Sequence, residues 1–506
     1  MVAGWGQGRQ LTLEPPPERR PPGATVGVVD SMAAELAALR AAVALGGVLD
    51  PADPAAGFVR DERGLLPSHP AAVLRPRSTE QVATAVALCA RHGVPVVPFA
   101  GGTGLVGGAV PLGEASQLVL SVRALDRIRS VDAADFALTA EAGCVVADVQ
   151  RTAEEAGLLF PLRLASEGSC RIGGVVATNA GGSNVLRYGM TRDLVLGLEA
   201  VLPDGRIWHG LRSLRKDNSG YDLKQLLIGS EGTLGVVTAA TLRLFPRPGH
   251  RAVALLALPG LAPLAGLLAL AREVCEDRLT ALELFGRTGL ELVLRHLTGH
   301  RDPFARPHPQ YLLVEASAGR DGAALTAQLE HFLAEAIERG WALDAVPALD
   351  RPQAQALWGL REALPEAEKR AGGAVKHDVG VPLGALGAFV AAAAERLARR
   401  YPAAVLNAFG HVGDGNVHLN VLVPAGTDRA ALSALVYELV QEYAGTISAE
   451  HGIGVLKREA LTQVRSPLEL ALLRAVKDAL DPHGIMNPGK LLAAAPPAQD
   501  GGSTPK

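Results

Sequence analysis

The sequence predicts an α+β protein in which a glycine-rich unit of alternating strands and helices precedes a second unit with an antiparallel sheet. Between residues 71 and 246, short β-branched runs alternate with helical patterns, and three glycine clusters interrupt them. After Pro246 the strands and helices become longer and the clusters cease. A helical pattern at residues 468–480 then leads into a turn rich in proline and glycine. These observations predict two units of different construction.

Composition excludes several classes of protein. A chain of 506 residues is long enough for two or more domains, and a net charge of −3 without any basic block argues against nucleic acid as a partner. Four separated cysteines without a Cys-x-x-Cys pair indicate a reducing compartment and exclude an iron–sulfur cluster bound by this chain alone. No apolar run approaches the ~20 residues of a membrane span, and no signal-peptide core is present. We therefore predict a cytoplasmic protein.

The N-terminal stretch has the composition of a disordered extension. Residues 1–30 are rich in proline, glycine and arginine, and an amphipathic helix is predicted at residues 33–45. Met32 directly precedes that helix, so the sequence leaves open whether translation starts at Met1 or at Met32. A chain that begins at Met32 is expected to fold and function normally.

The first unit begins with a strand, a helix and a strand. We predict a strand at residues 72–75, a helix at 79–92 capped by Ser78 or Thr79, and a strand at 94–99. The loop at residues 100–108 then reads Ala-Gly-Gly-Thr-Gly-Leu-Val-Gly-Gly and formally contains G-x-G-x-x-G. A proline and a glycine follow within the next turn, whereas a Rossmann turn requires a helix there. The loop is therefore predicted to be a phosphate cradle of another architecture, with a plain turn as the alternative.

Two further glycine clusters lie at residues 168–183 and 229–238. Between them we predict a buried strand at 194–202 and a hairpin turn at 203–206, and a strand at 240–244 follows the last cluster. Glycine allows a backbone to approach a planar or phosphorylated ligand closely. Three separated clusters around one unit fit a large, extended ligand better than three unrelated turns.

The second unit shows the longer periodic segments of an α+β domain. Strands are predicted at 252–258, 280–285, 311–316 and 403–409, and helices at 262–274, 321–339, 353–369 and 385–400. The last of these strands leads into a histidine-containing stretch at residues 407–421.

Two histidines in that stretch predict a metal site. His411 and His418 flank Gly-Asp-Gly-Asn, and the following polar residues alternate with apolar ones at the period of a half-buried strand. A second segment offers Glu450 and His451. Two imidazoles and one carboxylate suit a divalent cation such as Zn²⁺, so we predict His411, His418 and Glu450 as ligands.

His451 is then available as a general base. Asp414 and Asn416 are predicted to orient the imidazoles from outside the ligand shell. The alternative is a set of structural polar residues without a metal.

Several motifs are similar to a known flavoprotein family. Residues 98–108, 168–182, 216–224 and 228–238 resemble the FAD-binding domain of the vanillyl-alcohol oxidase/p-cresol methylhydroxylase (PCMH) type. Residues 410–418, with Glu450 and His451, resemble the cap domain of its D-2-hydroxyacid dehydrogenases. That group contains D-2-hydroxyglutarate dehydrogenases, FAD-dependent D-lactate dehydrogenases and glycolate oxidase flavoprotein subunits. The similarity covers roughly residues 65–492.

The resemblance implies a fold and a domain plan. We expect a PCMH-type FAD-binding domain of two α/β subdomains, an α+β cap (substrate) domain with an antiparallel sheet, and a C-terminal segment that returns to the FAD domain. The boundaries expected are 1–45 for a disordered extension with its leading helix, 46–247 for the FAD-binding domain, 248–455 for the cap domain, 456–492 for the returning segment and 493–506 for a disordered tail.

The resemblance also implies cofactor contacts. The residues expected at FAD are Pro98, Gly101, Gly102, Thr103, Gly104, Leu105, Gly168, Ser169, Gly173, Asn179, Gly181, Gly182, Glu231, Gly235, Val237 and Asn487. Many relatives attach FAD to a histidine in the first glycine loop. This loop has none, which implies FAD bound without a covalent link.

By the same resemblance, Arg361, Lys376 and Asn420 bind the substrate, the first two through its carboxylate. Hydroxyglutarate enzymes tend to carry a threonine four residues after the arginine, where this chain has Pro365, and that weighs against hydroxyglutarate. The implied activity is oxidation of a D-2-hydroxy acid, D-lactate or D-2-hydroxyglutarate, by hydride transfer to FAD with metal-assisted deprotonation. A quinone, an electron-transfer flavoprotein or a cytochrome is expected as electron acceptor, and a homodimer is possible.

Alternatives to this activity are a glycolate oxidase-type subunit, a zinc hydrolase that uses His411, His418 and Glu450, and a non-redox flavoprotein such as alkyl-glycerone-phosphate synthase. A hydrolase would not need three glycine clusters, which separates it from the flavoproteins.

Overall fold

The structure is a computed structural model that describes residues 48–49, 61–66, 68, 70–112 and 117–493. The expectations for residues 1–45 and for the tail after residue 493 fall outside these ranges. Within them, no helix is both long enough and apolar enough to cross a bilayer.

The first sheet has four strands in the order β1-β2-β4-β3. Its strands are β1 (Val48–Leu49), β2 (Ala72–Leu74), β3 (Val96–Phe99) and β4 (Leu118–Ser121). The last three are parallel, and helix α1 (Thr79–His92) connects β2 to β3. Helix α1 starts where predicted because the Ser78 side chain accepts a hydrogen bond from the Gln81 N–H, and it ends at Gly93 in the left-handed conformation.

The second sheet is antiparallel, with the order β5-β6-β10-β8-β9. Its strands are β5 (Ile128–Asp132), β6 (Ala137–Glu141), β8 (Val195–Val201), β9 (Ile207–Gly210) and β10 (Val236–Arg243), and β7 (Leu158–Leu159) pairs separately with β11 (Phe245–Pro246). The helices of this part are α2 (Val146–Glu155), α3 (Ile172–Thr178), α4 (Val185–Tyr188), α5 (Thr191–Leu194) and α6 (Lys224–Leu227). The predicted hairpin turn joins β8 to β9, with Gly205 at φ 88°.

The third sheet has seven antiparallel strands in the order β15-β12-β14-β13-β17-β18-β16. The strands are β12 (His250–Leu258), β13 (Leu279–Gly286), β14 (Gln310–Ala318), β15 (Asp344–Pro347), β16 (Val375–Gly380), β17 (Val405–His411) and β18 (Asn416–Leu422). The predicted antiparallel sheet of the second unit is therefore confirmed.

Helices cover both faces of the third sheet, because alternate residues of its strands enter two separate cores. Four helices contribute residues to one core: α7 (Leu264–Cys275), α9 (Gly322–Glu338), α12 (Leu386–Arg400) and α13 (Arg429–Glu442). Three helices contribute residues to the other core: α8 (Arg287–His296), α10 (Arg351–Glu362) and α11 (Leu364–Arg370). Helices α14 (Arg458–Val464) and α15 (Pro467–Leu480) follow, and short 3₁₀ turns occupy Val122–Ala124, Glu276–Arg278 and Leu383–Ala385.

The prediction of one helix at residues 353–369 is wrong. The segment forms two helices, α10 and α11, with Ala363 between them. Pro365 causes the break, because a proline cannot donate the helical hydrogen bond and its ring clashes with the carbonyl four residues earlier. The break brings Pro365 to the wall of the cavity described below.

The C-terminal segment returns to the first sheet, as the predicted fold class requires. The Val96 N–H donates to the Ile485 carbonyl at 2.8 Å, and the Asn487 N–H donates to the Val96 carbonyl at 2.7 Å. Residues 485–487 thereby add a short parallel bridge to the edge strand β3.

Candidate active site

A cavity of about 590 Å³ is lined by residues of all three glycine clusters. Four residues of the second unit also line it: Pro365, Lys376, Glu450 and His451. The second cluster comes close to one of them, because a Cβ at Gly181 would lie 3.4 Å from Oε1 of Glu450. The glycine clusters therefore face one continuous space with Glu450 and His451, whereas His411 and His418 are not among its lining residues.

The glycines of the first cluster are suited to a ligand that approaches the backbone. A Cβ added at Gly101 would lie 2.9 Å from Cα of Cys170, so the first and second clusters are packed backbone to backbone. Gly102 has φ +79°, a conformation that L side chains rarely adopt. A Cβ at Gly104 would meet nothing within 4 Å, so this backbone borders open space. These features fit a large planar and phosphorylated cofactor such as FAD.

Most of the residues predicted at the cofactor line this cavity. They are Pro98, Gly101, Gly102, Thr103, Gly104, Leu105, Ser169, Gly173, Gly181, Glu231, Gly235 and Val237. Gly168, Asn179, Gly182 and Asn487 are not among the lining residues.

Three of those four have evident structural contacts. Asn179 ends α3 in the left-handed conformation, and a Cβ at Gly182 would lie only 1.9 Å from the Arg163 carbonyl oxygen. The buried Asn487 amide donates to the carbonyls of Gly108 and Glu231 at 2.8 and 2.7 Å. Asn487 therefore holds the first and third glycine clusters together.

The three predicted metal ligands converge. His411 lies at the end of β17, His418 lies on the adjacent strand β18, and Glu450 belongs to the loop after α13. Their potential ligand atoms all lie within 4.8 Å of one another. Two imidazoles and a carboxylate at this spacing fit a divalent transition metal, with coordination positions left for a substrate.

Glu283 fixes the orientation of His411. Nδ1 of His411 donates to Oε1 of Glu283 at 2.6 Å, which leaves Nε2 of His411 facing Oε1 of Glu450 at 3.5 Å. Burial disfavours the charged imidazole, yet the carboxylates of Glu283 and Glu450 outweigh burial and raise the pKa of His411 to about 9. A cation held by Nε2 would take the place of that proton.

Asp378 fixes the loop that contains Glu450. Its Oδ2 accepts the backbone N–H groups of Glu450 and His451 at 2.9 and 2.8 Å, and its Oδ1 accepts from the Asn416 amide at 2.8 Å. Nδ1 of His418 and Nδ1 of His451 lie 4.0 and 3.8 Å from the same carboxylate. Asp378 thus positions one predicted ligand and the predicted base together.

Glu283 is hydrogen-bonded to the His411 ring, whereas Asp378 lies near the rings of His418 and His451 without a hydrogen bond to either. The predicted role of Asp414 and Asn416 in orienting the imidazoles stays a prediction. Asn416 contacts Asp378, and Asp414 accepts a hydrogen bond from the Asn416 N–H within its own turn. Glu283 is not among the residues predicted from the sequence, although a glutamate inside the apolar strand β13 is a usable signal.

Burial controls protonation in the rest of the site. It lowers the pKa of His451 to about 4 and that of His418 well below its usual value, so both imidazoles are neutral near pH 7. Burial raises the pKa of Glu450 to about 7, and the neighbouring acidic groups act in the same direction. A neutral His451 in the cavity wall is able to accept a proton.

Glu231 connects the glycine-rich part of the chain to the same loop. Its carboxylate accepts the N–H groups of Ile453 and Gly454 at 2.8 and 2.7 Å, just beyond His451. Glu231 is one of the residues that the family resemblance predicts at the cofactor. Glu231 does line the cavity, but its carboxylate holds the loop.

The three predicted substrate-binding residues are already paired with carboxylates. The buried Arg361 places Nη2 2.9 Å from Oε2 of Glu283, and Nζ of Lys376 lies 3.6 Å from Oε2 of Glu368. Asn420 donates to both oxygens of Glu368, at 3.0 and 2.9 Å. Of these three residues only Lys376 lines the cavity.

Comparison with known proteins agrees with this arrangement. Residues 70–210 match the family model described as "FAD binding domain", and residues 247–491 match the one described as "FAD linked oxidases, C-terminal domain". The fold and the glycine-lined cavity thus define a flavin-dependent oxidoreductase that binds FAD.

The relatives place the chain within that class. A D-2-hydroxyglutarate dehydrogenase of Xanthomonas citri pv. viticola is 43% identical over 430 residues, which are 84% of this chain and 89% of the relative. A mitochondrial D-2-hydroxyglutarate dehydrogenase of Bos taurus is 39% identical, over 95% of this chain and 87% of the relative. The chain belongs to the FAD-linked oxidase family, in the group that contains the D-2-hydroxyglutarate dehydrogenases.

Solved structures confirm the predicted PCMH-type fold. A p-cresol methylhydroxylase with substrate bound superposes with a TM-score of 0.73 at 16% identity, covering 93% of this chain and 98% of that chain. An alkyldihydroxyacetonephosphate synthase gives a TM-score of 0.64 at 17% identity, covering 84% and 77%.

Proposed function

We propose that the protein oxidises a D-2-hydroxy acid to the 2-oxo acid, with FAD as the hydride acceptor and a divalent cation assisting removal of the hydroxyl proton. The main support is that one cavity joins the glycine clusters to Glu450 and His451. The names of the relatives support the same substrate class. The chemistry that bound FAD supplies is acceptance of the α-hydrogen as hydride.

His411, His418 and Glu450 are the residues that would hold the cation, and zinc suits this donor set. The chemistry that a bound cation supplies here is polarisation of the substrate hydroxyl and carboxylate, which lowers the pKa of the hydroxyl. Glu283 keeps the His411 ring in the required orientation.

His451 is proposed as the general base that takes the hydroxyl proton. It lines the cavity, its backbone is held by Asp378, and burial keeps its imidazole neutral by lowering its pKa to about 4. Lys376, Arg361 and Asn420 are proposed to surround the carboxylate end of the substrate, with Lys376 nearest to the cavity.

Within this class, D-lactate and D-2-hydroxyglutarate are the two leading substrates. The relatives named D-2-hydroxyglutarate dehydrogenases favour the latter. Pro365 lines the cavity and has no hydroxyl group to donate to a substrate, which favours D-lactate.

The function is tested by mixing the purified protein anaerobically with D- and L-enantiomers of lactate, malate, 2-hydroxybutyrate and 2-hydroxyglutarate. Loss of the flavin absorbance with D-enantiomers is expected. A flavin that stays oxidised with all D-acids, or that is reduced equally by the L-acids, would contradict the proposal.

Gly102→Val is expected to yield protein that lacks most of its flavin. The new side chain would be strained at φ +79° and would start 2.6 Å from Cζ of Phe99, beneath the glycine loop. Flavin absorbance per chain is the measurement. Gly340→Val is the matched control, because Gly340 also has positive φ (+68°) but nothing lies within 4 Å of its added Cβ. A Gly102→Val variant as yellow as this control would argue against the cradle.

Two other proposals concern the surroundings of the enzyme. We propose a cytoplasmic location on the basis of composition, although the Bos taurus relative is named mitochondrial. A quinone, an electron-transfer flavoprotein or a cytochrome is proposed as electron acceptor and a homodimer as assembly. The zinc hydrolase alternative finds no support, because it leaves the glycine-lined cavity without a role.

A further inference from the structure

Arg171, in the second glycine cluster, lies in the cavity wall without an anionic partner. Its Nη1 donates to the carbonyl oxygen of Gly143, which fixes the guanidinium on one side. Its Nε is buried without a hydrogen-bond partner, and within the described ranges the side chain forms no ion pair. Since a guanidinium presents its N–H donors as a planar fork, the edge formed by Nε and Nη2 remains available to a ligand.

This arginine lies beside the first glycine cluster, the predicted phosphate cradle. A Cβ added at Gly101 would lie 3.3 Å from the backbone nitrogen of Arg171. Arg123, which is not among the lining residues, donates from Nε and Nη2 to the carbonyls of Ala100 and Gly101 at 3.0 Å each. Arg171 and the cradle therefore border the cavity side by side.

Arg171 also belongs to a group of arginines that are close enough to repel one another. Burial and then the charges of Arg171 and Arg75 lower the pKa of Arg123. Nε of Arg75 is buried without a hydrogen-bond partner, as Nε of Arg171 is. Gathering guanidinium groups at one place costs free energy, which a bound anion would offset.

The rest of the cavity wall holds positive charge only at the opposite unit. Among the described lining residues, the cations are Arg171 and Lys376. Lys376 lies in the same wall as Glu450 and His451, and its Nζ is 3.6 Å from Oε2 of Glu368. The diphosphate of FAD is an anion that must be compensated when it leaves water. Backbone N–H groups of the cradle supply partial charges, and Arg171 supplies a full one beside them.

We infer that Arg171 binds the diphosphate of FAD through the Nε–Nη2 edge of its guanidinium. Arg171 is not among the residues that the sequence predicts at the cofactor. The contact determines how firmly the cofactor is retained. It goes beyond the proposed oxidation, because it holds whichever acid is the substrate.

Arg171→Gln is expected to weaken the binding of FAD by about 10–100-fold, the loss of a hydrogen bond between charged groups. Dilution of the holoenzyme releases FAD, and the rise of flavin fluorescence gives Kd. Arg171→Lys keeps the charge without the fork, so its Kd should lie between those of the wild type and Arg171→Gln. Arg151→Gln is the matched control and should keep the wild-type Kd, because Arg151 is exposed on α2 and pairs with Asp148.

Competition separates a diphosphate contact from a structural role. ADP contains a diphosphate and should displace FAD from the wild-type enzyme at lower concentration than adenosine, which has no phosphate. In Arg171→Gln this advantage of ADP should fall by about the same factor as the affinity for FAD. A purely structural role of the bond to Gly143 would weaken FAD, ADP and adenosine together and leave the advantage unchanged.

A Kd for FAD within about threefold of wild type in Arg171→Gln, or an unchanged advantage of ADP, would overturn the inference. If the variants do not fold, the wild-type comparison still decides, because an ADP no better than adenosine would overturn it too. Absence of flavin reduction by D-2-hydroxy acids would overturn the proposed function alone.

Discussion

Replacing His451 with glutamine is expected to slow flavin reduction by D-2-hydroxy acids by at least ~10², the usual contribution of a general base. The neutral imidazole lines the cavity, and the amide that replaces it cannot accept the hydroxyl proton. The measurement is the rate of flavin reduction in single turnover, which isolates the chemical step from reoxidation.

Flavin content and substrate binding should change little in this variant, because Asp378 accepts a hydrogen bond from the backbone N–H of residue 451, which the substitution keeps. His331→Gln, at an exposed histidine on α9, controls for the substitution itself. A single-turnover rate within about threefold of wild type would remove His451 from the role of base.

His411→Ala is expected to lose the bound metal, to below about a tenth of an equivalent per chain, and to lose turnover with it. The substitution leaves one imidazole and one carboxylate, which is too few ligands for tight binding of zinc. Metal analysis of the purified protein, by plasma mass spectrometry, gives the stoichiometry.

Glu283→Gln provides a graded comparison for the same site. It keeps all three ligands but weakens the hydrogen bond that fixes His411 Nδ1, so metal affinity should fall by about 10–100-fold and not vanish. A full equivalent of metal in His411→Ala would contradict the ligand assignment.

Much of the fold could be read from the sequence because the signals are local. The bounds predicted for helix α1 agree with the structure, and the local signal for its start is a cap at Ser78 or Thr79. The alternation around His418 correctly predicted strand β18. The prediction of one helix at residues 353–369 is wrong despite a local signal, because Pro365 divides that segment into two helices.

The partners of the site residues could not be predicted because strand register determines them. Glu283 meets His411 only because β13 pairs with β17, which lies more than 100 residues further along the chain. The pairing of β16 with β18 likewise places Asp378 opposite His418 and Lys376 opposite Asn420. No pattern within either strand specifies which strand will lie beside it.

The loop that contains Glu450 and His451 is held from two sides, by Asp378 of the third sheet and by Glu231 of the third glycine cluster. We therefore expect occupancy of the proposed cation site and of the FAD site to be thermodynamically linked, since whatever orders this loop favours both. Chelation of the cation should make the flavin easier to wash out, and depletion of the flavin should weaken retention of the cation by the same factor.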